Sequence, residues 1–214
     1  MEDTVNYKKI NMEAWERRDL YRFYTEKLKI TMNMTVTVDV THALAFSRAE
    51  GLSFHAVMMW AVGNVLNARD EFRYSLNESG ELIQYDLISP SYTDFNPETE
   101  HFVKFVTEFS YDLRDFCARY ETDRIKYRDG WGFIDNQPKN VYDISCIPWV
   151  TYDALTLHVE SDGPSLFPVV LWCKYKEEGD RTVMPVTMNI NHAVCDGFHI
   201  CRFFNELQSF LDAL

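Results

Sequence analysis

Residues 184–199 read MPVTMNINHAVCDGFH, a stretch in which one sequence pattern gives way to another. Apolar side chains occupy alternate positions from Met184 to Ile190, which predicts a strand with one buried face. Gly197 breaks this alternation, and apolar residues then follow helical spacing. These residues are Phe203, Leu207, Phe210, Leu211 and Leu214. The stretch therefore predicts a strand, a turn and a closing helix, with His192 held at the strand end.

The residues around His192 admit three interpretations. The first is a turn in which the histidine is incidental. The second is a metal site, because His192, Asp196 and His199 would share one face of a continuous helix. Gly197 argues against that helix, since glycine destabilises a helix interior. The third is a general base, an imidazole that accepts a proton from a hydroxyl group.

The length and charge of the chain limit its class. The chain has 214 residues, of which 46% are hydrophobic, and shows no linker, so we expect a single globular domain over residues 1–214. Its formal net charge is −12. Nucleic acids and anionic membranes bind clustered lysine and arginine, so neither is an expected partner. An anionic cofactor would require a local cationic patch.

The cysteines indicate a compartment. They are five in number, scattered and without a Cys-x-x-Cys pair, which is typical of reduced thiols in a cytoplasm. The first residues have neither the basic nor the apolar region of a signal peptide. The longest apolar helical stretch, residues 54–66, is too short to span a bilayer. We therefore expect a cytoplasmic protein.

Local patterns predict an α+β arrangement of helices and strands. Helices are expected after an Asn11 cap, from Thr41 to Gly51, after a Ser53 cap and over residues 112–120. Strands are expected at 34–40, 73–76, 82–85, 91–95, 102–109, 141–146, 150–152, 155–159, 167–176 and 182–191. A hairpin turn at residues 177–180 joins the last two, and residues 122–140 form a long, mostly irregular connection.

Several separated motifs resemble those of the chloramphenicol acetyltransferases. The terminal segment His192-Ala193-Val194-Cys195-Asp196-Gly197-Phe198-His199 resembles their active-site segment. The other matching segments are Trp15-x-Arg17-Arg18, the run from Phe72-Arg73 to Asp86, Glu98-Thr99-Glu100-x-Phe102, Ile144-Ser145-Cys146-Ile147-Pro148-Trp149-Val150 and Lys174-Tyr175. Their order along essentially the whole chain makes the resemblance specific, whereas any one alone would be weak.

The resemblance implies both a fold and a reaction. The fold would be a large, mostly antiparallel or mixed sheet flanked by helices, as in CoA-dependent acyltransferases. The reaction would move the acetyl group of acetyl-CoA directly to a hydroxyl of chloramphenicol or a similar acceptor, without a metal. His192 would be the general base, and Ser145 would donate a hydrogen bond to the developing oxyanion. Without the resemblance, Ser145 would be interpreted as an ordinary buried strand serine.

Asp196 has two interpretations. It could orient or stabilise the histidine directly. The resemblance instead implies an ion pair with Arg17, which would tie the first helix to the turn and fix His192 indirectly. We favour the ion pair.

The resemblance also implies two binding regions. Lys174, Tyr175 and Trp149 would lie near coenzyme A, although a hairpin lysine is commonly only solvated. The acceptor pocket would be lined by Tyr24, Leu28 and Phe102, residues that could equally be ordinary core.

Family members are homotrimers with sites between subunits, the base coming from one chain and much of the acceptor pocket from the next. On this basis, chains carrying His192→Ala should be complemented by chains mutated at Tyr24.

Some positions depart from the family pattern. Asn191 replaces a second histidine, Leu171 replaces a threonine that holds a water, and Leu155 replaces a pocket phenylalanine. Thr31-Met32 also differs from the usual lining. These differences concern the acceptor and keep three alternatives open. The protein could acetylate a different hydroxyl, it could be a weakly active or non-catalytic homologue that binds a planar aromatic ligand, or it could bind metal.

Overall fold

A computed structural model describes residues 5–157 and 163–214 of the chain. The helices are α1 (Arg18–Arg22), α2 (Thr41–Glu50), α3 (Phe54–Asn67), α4 (Leu113–Tyr127) and α5 (Gly197–Asp212). The strands are β1 (Tyr7–Lys9), β2 (Thr31–Asp39), β3 (Tyr74–Leu76), β4 (Leu82–Tyr85), β5 (Ser89–Asn96), β6 (His101–Val106), β7 (Gly132–Phe133), β8 (Val141–Ile147), β9 (Val169–Cys173), β10 (Lys176–Glu178) and β11 (Arg181–Asn191). A π-helical turn, Phe23–Lys27, continues α1. In these parts of the chain, no helix is long and apolar enough to cross a membrane.

The described strands form two sheets. The smaller sheet has the order β1-β4-β3 and is antiparallel. The larger has eight described strands, and β11 lies near one edge between β2 on one side and β9 and β10 on the other. The pairs β5–β8, β8–β9 and β6–β7 are parallel, whereas β11 and its partners are antiparallel. The expected mixed α+β sheet is confirmed.

Strand β11 is more deeply buried than its alternation predicts. All residues from Val183 to Ile190 are buried, so both faces of the strand are covered. On the second face, the buried hydroxyl of Thr187 has a cross-strand partner, since it lies 2.8 Å from the hydroxyl of Thr35. This hydrogen bond compensates the cost of burying the two hydroxyl groups. The prediction of one buried face was therefore wrong.

Helix α3 lies against one face of the large sheet. Its first turn is capped as expected, because the Ser53 hydroxyl accepts a hydrogen bond from the backbone N–H of Ala56. On β8, the Tyr142 hydroxyl donates to the Met59 carbonyl of α3, so alternate β8 side chains face the helix. Because side chains alternate along a strand, Asp143 and Ser145 point to the opposite face.

Four expected elements differ from the structure. Asn11 accepts from the Glu13 N–H in a turn, and the first helix begins only at Arg18. Helix α4 extends to Tyr127 into the connection that was expected to be irregular. Residues 150–152 and 155–157 are irregular rather than strands, and the end of the second expected strand, 158–159, lies outside the described residues. Of the other expected strands, 82–85 has the expected bounds, 167–176 is divided into β9 and β10, and the rest are present with shifted ends.

Candidate active site

His192 follows the last residue of β11, and its ring is held on two sides. Its backbone N–H donates to the Ile30 carbonyl over 2.9 Å. The ring of Tyr24 stacks on the imidazole, with centroids 4.1 Å apart and planes 17° from parallel. The His192 side chain remains 21% exposed. The imidazole is therefore both oriented and accessible from solvent.

One hydrogen bond determines the tautomer of His192. Nδ1 of the ring lies 2.9 Å from the carbonyl oxygen of Cys195. A carbonyl oxygen can only accept, so Nδ1 carries the proton. In the neutral ring Nε2 then has a free lone pair, which is the state that a general base requires.

Arg17 fixes the turn that carries His192. Its guanidinium makes two hydrogen bonds of 2.7 Å to the carboxylate of Asp196. It also donates to the backbone carbonyls of His192 and Ala193, each over 2.8 Å. The Arg17 side chain is only 14% exposed. The expected Arg17–Asp196 ion pair is confirmed, and the planar fork of arginine explains why one side chain can hold the whole turn.

The environment of Asp196 favours this pair over a direct role on the histidine. The Arg17 hydrogen bonds hold the pKa of the Asp196 carboxyl below its usual value, so the group stays ionised. Its Oδ1 lies 3.4 Å from Nδ1 of His192, farther than the Cys195 carbonyl that Nδ1 contacts. Asp196 therefore acts on the imidazole mainly through the shape of the turn.

The metal interpretation required one helix through His192, Asp196 and His199, and this premise is wrong. Helix α5 begins at Gly197, and His192 lies outside it. Nδ1 of His199 accepts the backbone N–H of Asp196 over 2.9 Å. Within residues 5–157 and 163–214, no group of three metal-ligating side chains is present.

Cys195 lies inside the same turn but cannot present a reactive thiolate. It is fully buried, and burial raises the pKa of its thiol well above the ordinary value. A nucleophilic cysteine needs the opposite, a lowered pKa and access to substrate. Its role at the site lies in its backbone carbonyl, which holds His192.

A second group of expected site residues lies at the C-terminal ends of β8 and β9, away from His192. Trp149, just after β8, is exposed and makes edge contacts with Phe95 and Phe102. The Lys174 backbone N–H donates to the Val150 carbonyl, which brings the exposed residue that follows β9 close to Trp149. Tyr175 packs edge-on against Phe54 of α3 rather than facing solvent freely.

The strand register separates this group from His192. Ser145 pairs with Leu171, and Leu171 pairs with Thr187 of β11. His192 lies five residues beyond Thr187, or roughly 16 Å further along the sheet at about 3.3 Å per residue. Two strand spacings of about 4.8 Å add to that separation. A single chain therefore does not bring Ser145 and His192 together.

The expected site residues thus fall into two halves, one that carries His192 and one that carries Ser145 and Trp149. Tyr24 and Leu28 belong to the half that carries His192. Tyr24 touches the imidazole of its own chain, so the expectation that it complements His192→Ala from a neighbouring chain is wrong. Leu28 is exposed at the end of the π-helical turn, two residues before Ile30. Ile30 and Cys195 position His192 through their backbone carbonyls. These roles were not predicted, because a backbone contact does not depend on the type of residue that makes it.

Comparison with known proteins gives the chain a family. The family profile described as chloramphenicol acetyltransferase matches residues 5–208. A chloramphenicol acetyltransferase of Clostridium perfringens is 35% identical over 209 residues, covering 97% of this chain and 99% of the relative. Chloramphenicol acetyltransferase 2 of Escherichia coli is 34% identical, covering 97% and 98%.

Solved structures show the same fold. A chloramphenicol acetyltransferase structure superimposes with a TM-score of 0.84 at 22% identity, covering 96% of this chain and all of that one. A dihydrolipoamide acetyltransferase of Azotobacter vinelandii superimposes with a TM-score of 0.67 at 17% identity, covering 85% and 81%. From the full-length profile match and the sequence identities, the chain belongs to the chloramphenicol acetyltransferase family, a family of acetyltransferase enzymes.

Proposed function

We propose that the protein transfers the acetyl group of acetyl-CoA to a hydroxyl of chloramphenicol or a similar acceptor. The observation that carries this proposal is the bond from His192 Nδ1 to the Cys195 carbonyl, which leaves Nε2 as a base. The Tyr24 ring and the Arg17 fork hold that base in one orientation. General base catalysis requires such alignment before it requires any particular pKa.

In the proposed reaction, His192 Nε2 accepts the proton of the acceptor hydroxyl while the hydroxyl oxygen attacks the thioester carbonyl. A new C–O bond forms, and the negative charge moves to the carbonyl oxygen, where Ser145 donates a hydrogen bond. When the C–O double bond forms again, the C–S bond breaks. The imidazolium then returns the proton to the sulfur, so coenzyme A leaves as a thiol.

Transfer in this scheme is direct, without an acyl-enzyme. Cys195 is the thiol nearest to His192 in sequence, and its burial and raised pKa argue against a covalent intermediate there. Ser145 lies on the other half of the site, far from the base of its own chain. The histidine therefore activates the acceptor rather than a protein nucleophile.

The two halves of the site support an assembly, which we propose is a homotrimer. His192 lies at one end of the large sheet, and Ser145 with Trp149 and Phe102 lies towards the other. Residues at opposite ends of one chain can meet only if the end of one chain contacts the other end of its neighbour. Such head-to-tail contacts close into a ring when the rotation allows it.

Coenzyme A is proposed to bind the half of the site that carries Ser145. Lys174 is exposed there and supplies a cation for a polyanionic co-substrate on a chain of net charge −12. Trp149 offers an exposed aromatic surface beside it. Tyr175 would contribute indirectly, through its packing on Phe54.

All five cysteines lie in the described ranges and are free thiols, which supports a cytoplasmic location.

Mixed assemblies test the proposal. Neither His192→Ala nor Ser145→Ala chains should release thiol rapidly from acetyl-CoA when assembled alone. After denaturation and refolding of an equal mixture, about a quarter of the sites in a ring should combine an intact histidine with an intact serine. Thiol release with chloramphenicol should recover to that fraction.

Tyr24 provides the matched control. Chains with His192→Ala and chains with Tyr24→Ala should not complement each other, because both residues belong to the same half of the site. Recovery in the control, or none in the Ser145 mixture, would contradict the division of the site between chains.

The acceptor itself can be another hydroxyl compound. Leu171, fully buried and paired in register with Ser145, has no hydrogen-bonding group near the oxyanion position. Thiol release measured with and without chloramphenicol, and then with other alcohols, decides between the acceptors. Release that depends on chloramphenicol and disappears in His192→Ala supports the proposal, and release with none of them contradicts it.

A further inference from the structure

His199 is hydrogen-bonded to the turn that carries His192. Its Nδ1 lies 2.9 Å from the backbone nitrogen of Asp196. A backbone N–H can only donate, so Nδ1 of His199 is the acceptor and carries no proton. His192 has the opposite tautomer, because its Nδ1 donates to a carbonyl oxygen. The histidines on either side of Asp196 therefore use the same ring nitrogen in opposite roles.

The bond from Asp196 to His199 closes the first turn of α5. The helix begins at Gly197, so Asp196 is its N-terminal cap and His199 is its third residue. A side chain at that position often accepts the N–H of the cap residue, and glutamate or glutamine is the usual acceptor. Histidine differs from both, because it gains a proton between about pH 8 and 5. The acceptor at this cap is thus one that protonation can remove.

The carboxylate of Asp196 lies beside the same ring. Its Oδ2 is 3.7 Å from Nδ1 of His199 and 2.7 Å from Nη1 of Arg17, while its Oδ1 is 3.4 Å from Nδ1 of His192. A proton on Nδ1 of His199 would set two N–H donors against each other, and Oδ2 is an acceptor within reach of the displaced ring. A protonated His199 therefore competes with Arg17 for this carboxylate.

The other charges near the turn are held in ion pairs. Arg202, three residues after His199 on α5, is paired with Glu71. The Arg17 hydrogen bonds lower the pKa of the Asp196 carboxyl, so this group stays ionised over the range in which a histidine titrates. A gain of positive charge on His199 would therefore act on an ionised partner.

We propose that His199 is a positioning residue, which must be unprotonated at Nδ1 for the turn to hold His192 in its catalytic orientation. The inference rests on the proposed function, in which His192 is the base. Protonation of His199 would release the Asp196 N–H and draw the carboxylate away from Arg17. The bonds from Arg17 to the carbonyls of His192 and Ala193 would loosen with it. Acid thus inactivates the site through both the base and the residue that supports its turn.

Two substitutions separate hydrogen-bond acceptance from titration. His199→Asn keeps an acceptor, its amide oxygen, that does not titrate, whereas His199→Leu has no acceptor. At about pH 8, where histidine is neutral, His199→Leu should lower kcat for thiol release about tenfold, as the loss of one hydrogen bond would give. His199→Asn should recover most of that loss. KM for acetyl-CoA should change little in either variant, because its proposed site lies on the other half.

The pH dependence is the readout that a purely structural role would not change. In the wild-type assembly, log kcat should fall below about pH 6 with a slope approaching two, because two histidines must be unprotonated. In His199→Asn the slope should be one, from His192 alone. The control is His42→Asn, which replaces an exposed histidine of α2 and should keep the wild-type slope. Circular dichroism at each pH verifies that the assembly stays folded.

Two results overturn the inference. One is a wild-type slope of one, and the other is a His199→Leu variant as active as wild type. NMR of protein labelled at aspartate and histidine gives a readout without activity, since the Asp196 amide signal should move as the His199 ring titrates. If that movement is present but no acceptor is acetylated, the proposed function fails while the assignment of His199 holds. If it is absent, the assignment of His199 fails.

Discussion

Replacing Arg17 with alanine should weaken the fold moderately and catalysis severely. The change removes four hydrogen bonds of 2.7–2.8 Å, two to Asp196 and two to backbone carbonyls of the turn. Breaking a buried ion pair costs about 3–5 kcal/mol. Asp196 is 37% exposed, so water can solvate its freed carboxylate. We therefore expect a loss of about 2–3 kcal/mol in the free energy of unfolding.

Catalysis should suffer more, because the same turn aims His192. A displacement of about 1 Å at a reacting group can cost about a hundredfold in rate. We expect kcat to fall by about that factor while KM for acetyl-CoA changes little, since Lys174 and Trp149 lie on the other half of the site. Arg17→Lys keeps the charge but lacks the planar fork, so it should recover little activity.

Urea unfolding at one fixed chain concentration and steady-state thiol release measure these effects. Arg18→Ala is the matched control, because Arg18 is adjacent and makes surface contacts with Asp19 and Glu13. It should change stability by less than about 0.5 kcal/mol. The reasoning is refuted if Arg17→Ala unfolds at the wild-type midpoint, or if its kcat equals that of Arg18→Ala.

Three further predictions concern other residues. Ser145→Ala should lower kcat about a hundred- to a thousandfold with little change in the unfolding midpoint. A rise in KM with kcat unchanged would contradict an oxyanion role. Cys195→Ala should keep kcat within a few-fold of wild type, because the backbone carbonyl of this residue rather than its thiol holds His192. In the wild-type protein, mass spectrometry after mixing with acetyl-CoA should detect no acetylated cysteine. Burial lowers the pKa of His55 from 6.5 to about 4, so the unfolded chain binds a proton first and stability is lost as the pH falls between these values. From pH 7 to pH 5 the free energy of unfolding should fall by about 2 kcal/mol through this residue, and His55→Phe, measured by urea unfolding at both pH values, should lack that part of the dependence.

Local signals predicted the elements that decide the fold. The alternation before His192, the Ser53 cap and the helical spacing after Gly197 all correspond to elements of the structure. Each of these signals is local and depends on a few neighbouring residues. The hairpin was predictable for the same reason, since Gly179 has the positive φ of 65° that its tight turn requires.

The errors arose where distant contacts decide. Thr187 was expected on an exposed strand face, but a partner 152 positions away allows it to be buried. Residues 150–152 have the apolar alternation of a strand and yet form none, because the bond from the Lys174 N–H to the Val150 carbonyl is not continued into a ladder. The location of Tyr24 was also unpredictable, since the sequence indicates its ring but not which chain's histidine that ring touches.

The bond between Arg17 and Asp196 joins residues 179 positions apart. Closing so long a loop is entropically costly and comes late when a chain folds. During synthesis, residues 1–150 can collapse around α3 before the segment that carries His192 has left the ribosome. We therefore expect the imidazole of His192 to acquire its alignment only after the two ends of the polypeptide have met, so that incomplete translation products lack activity however well their core is packed.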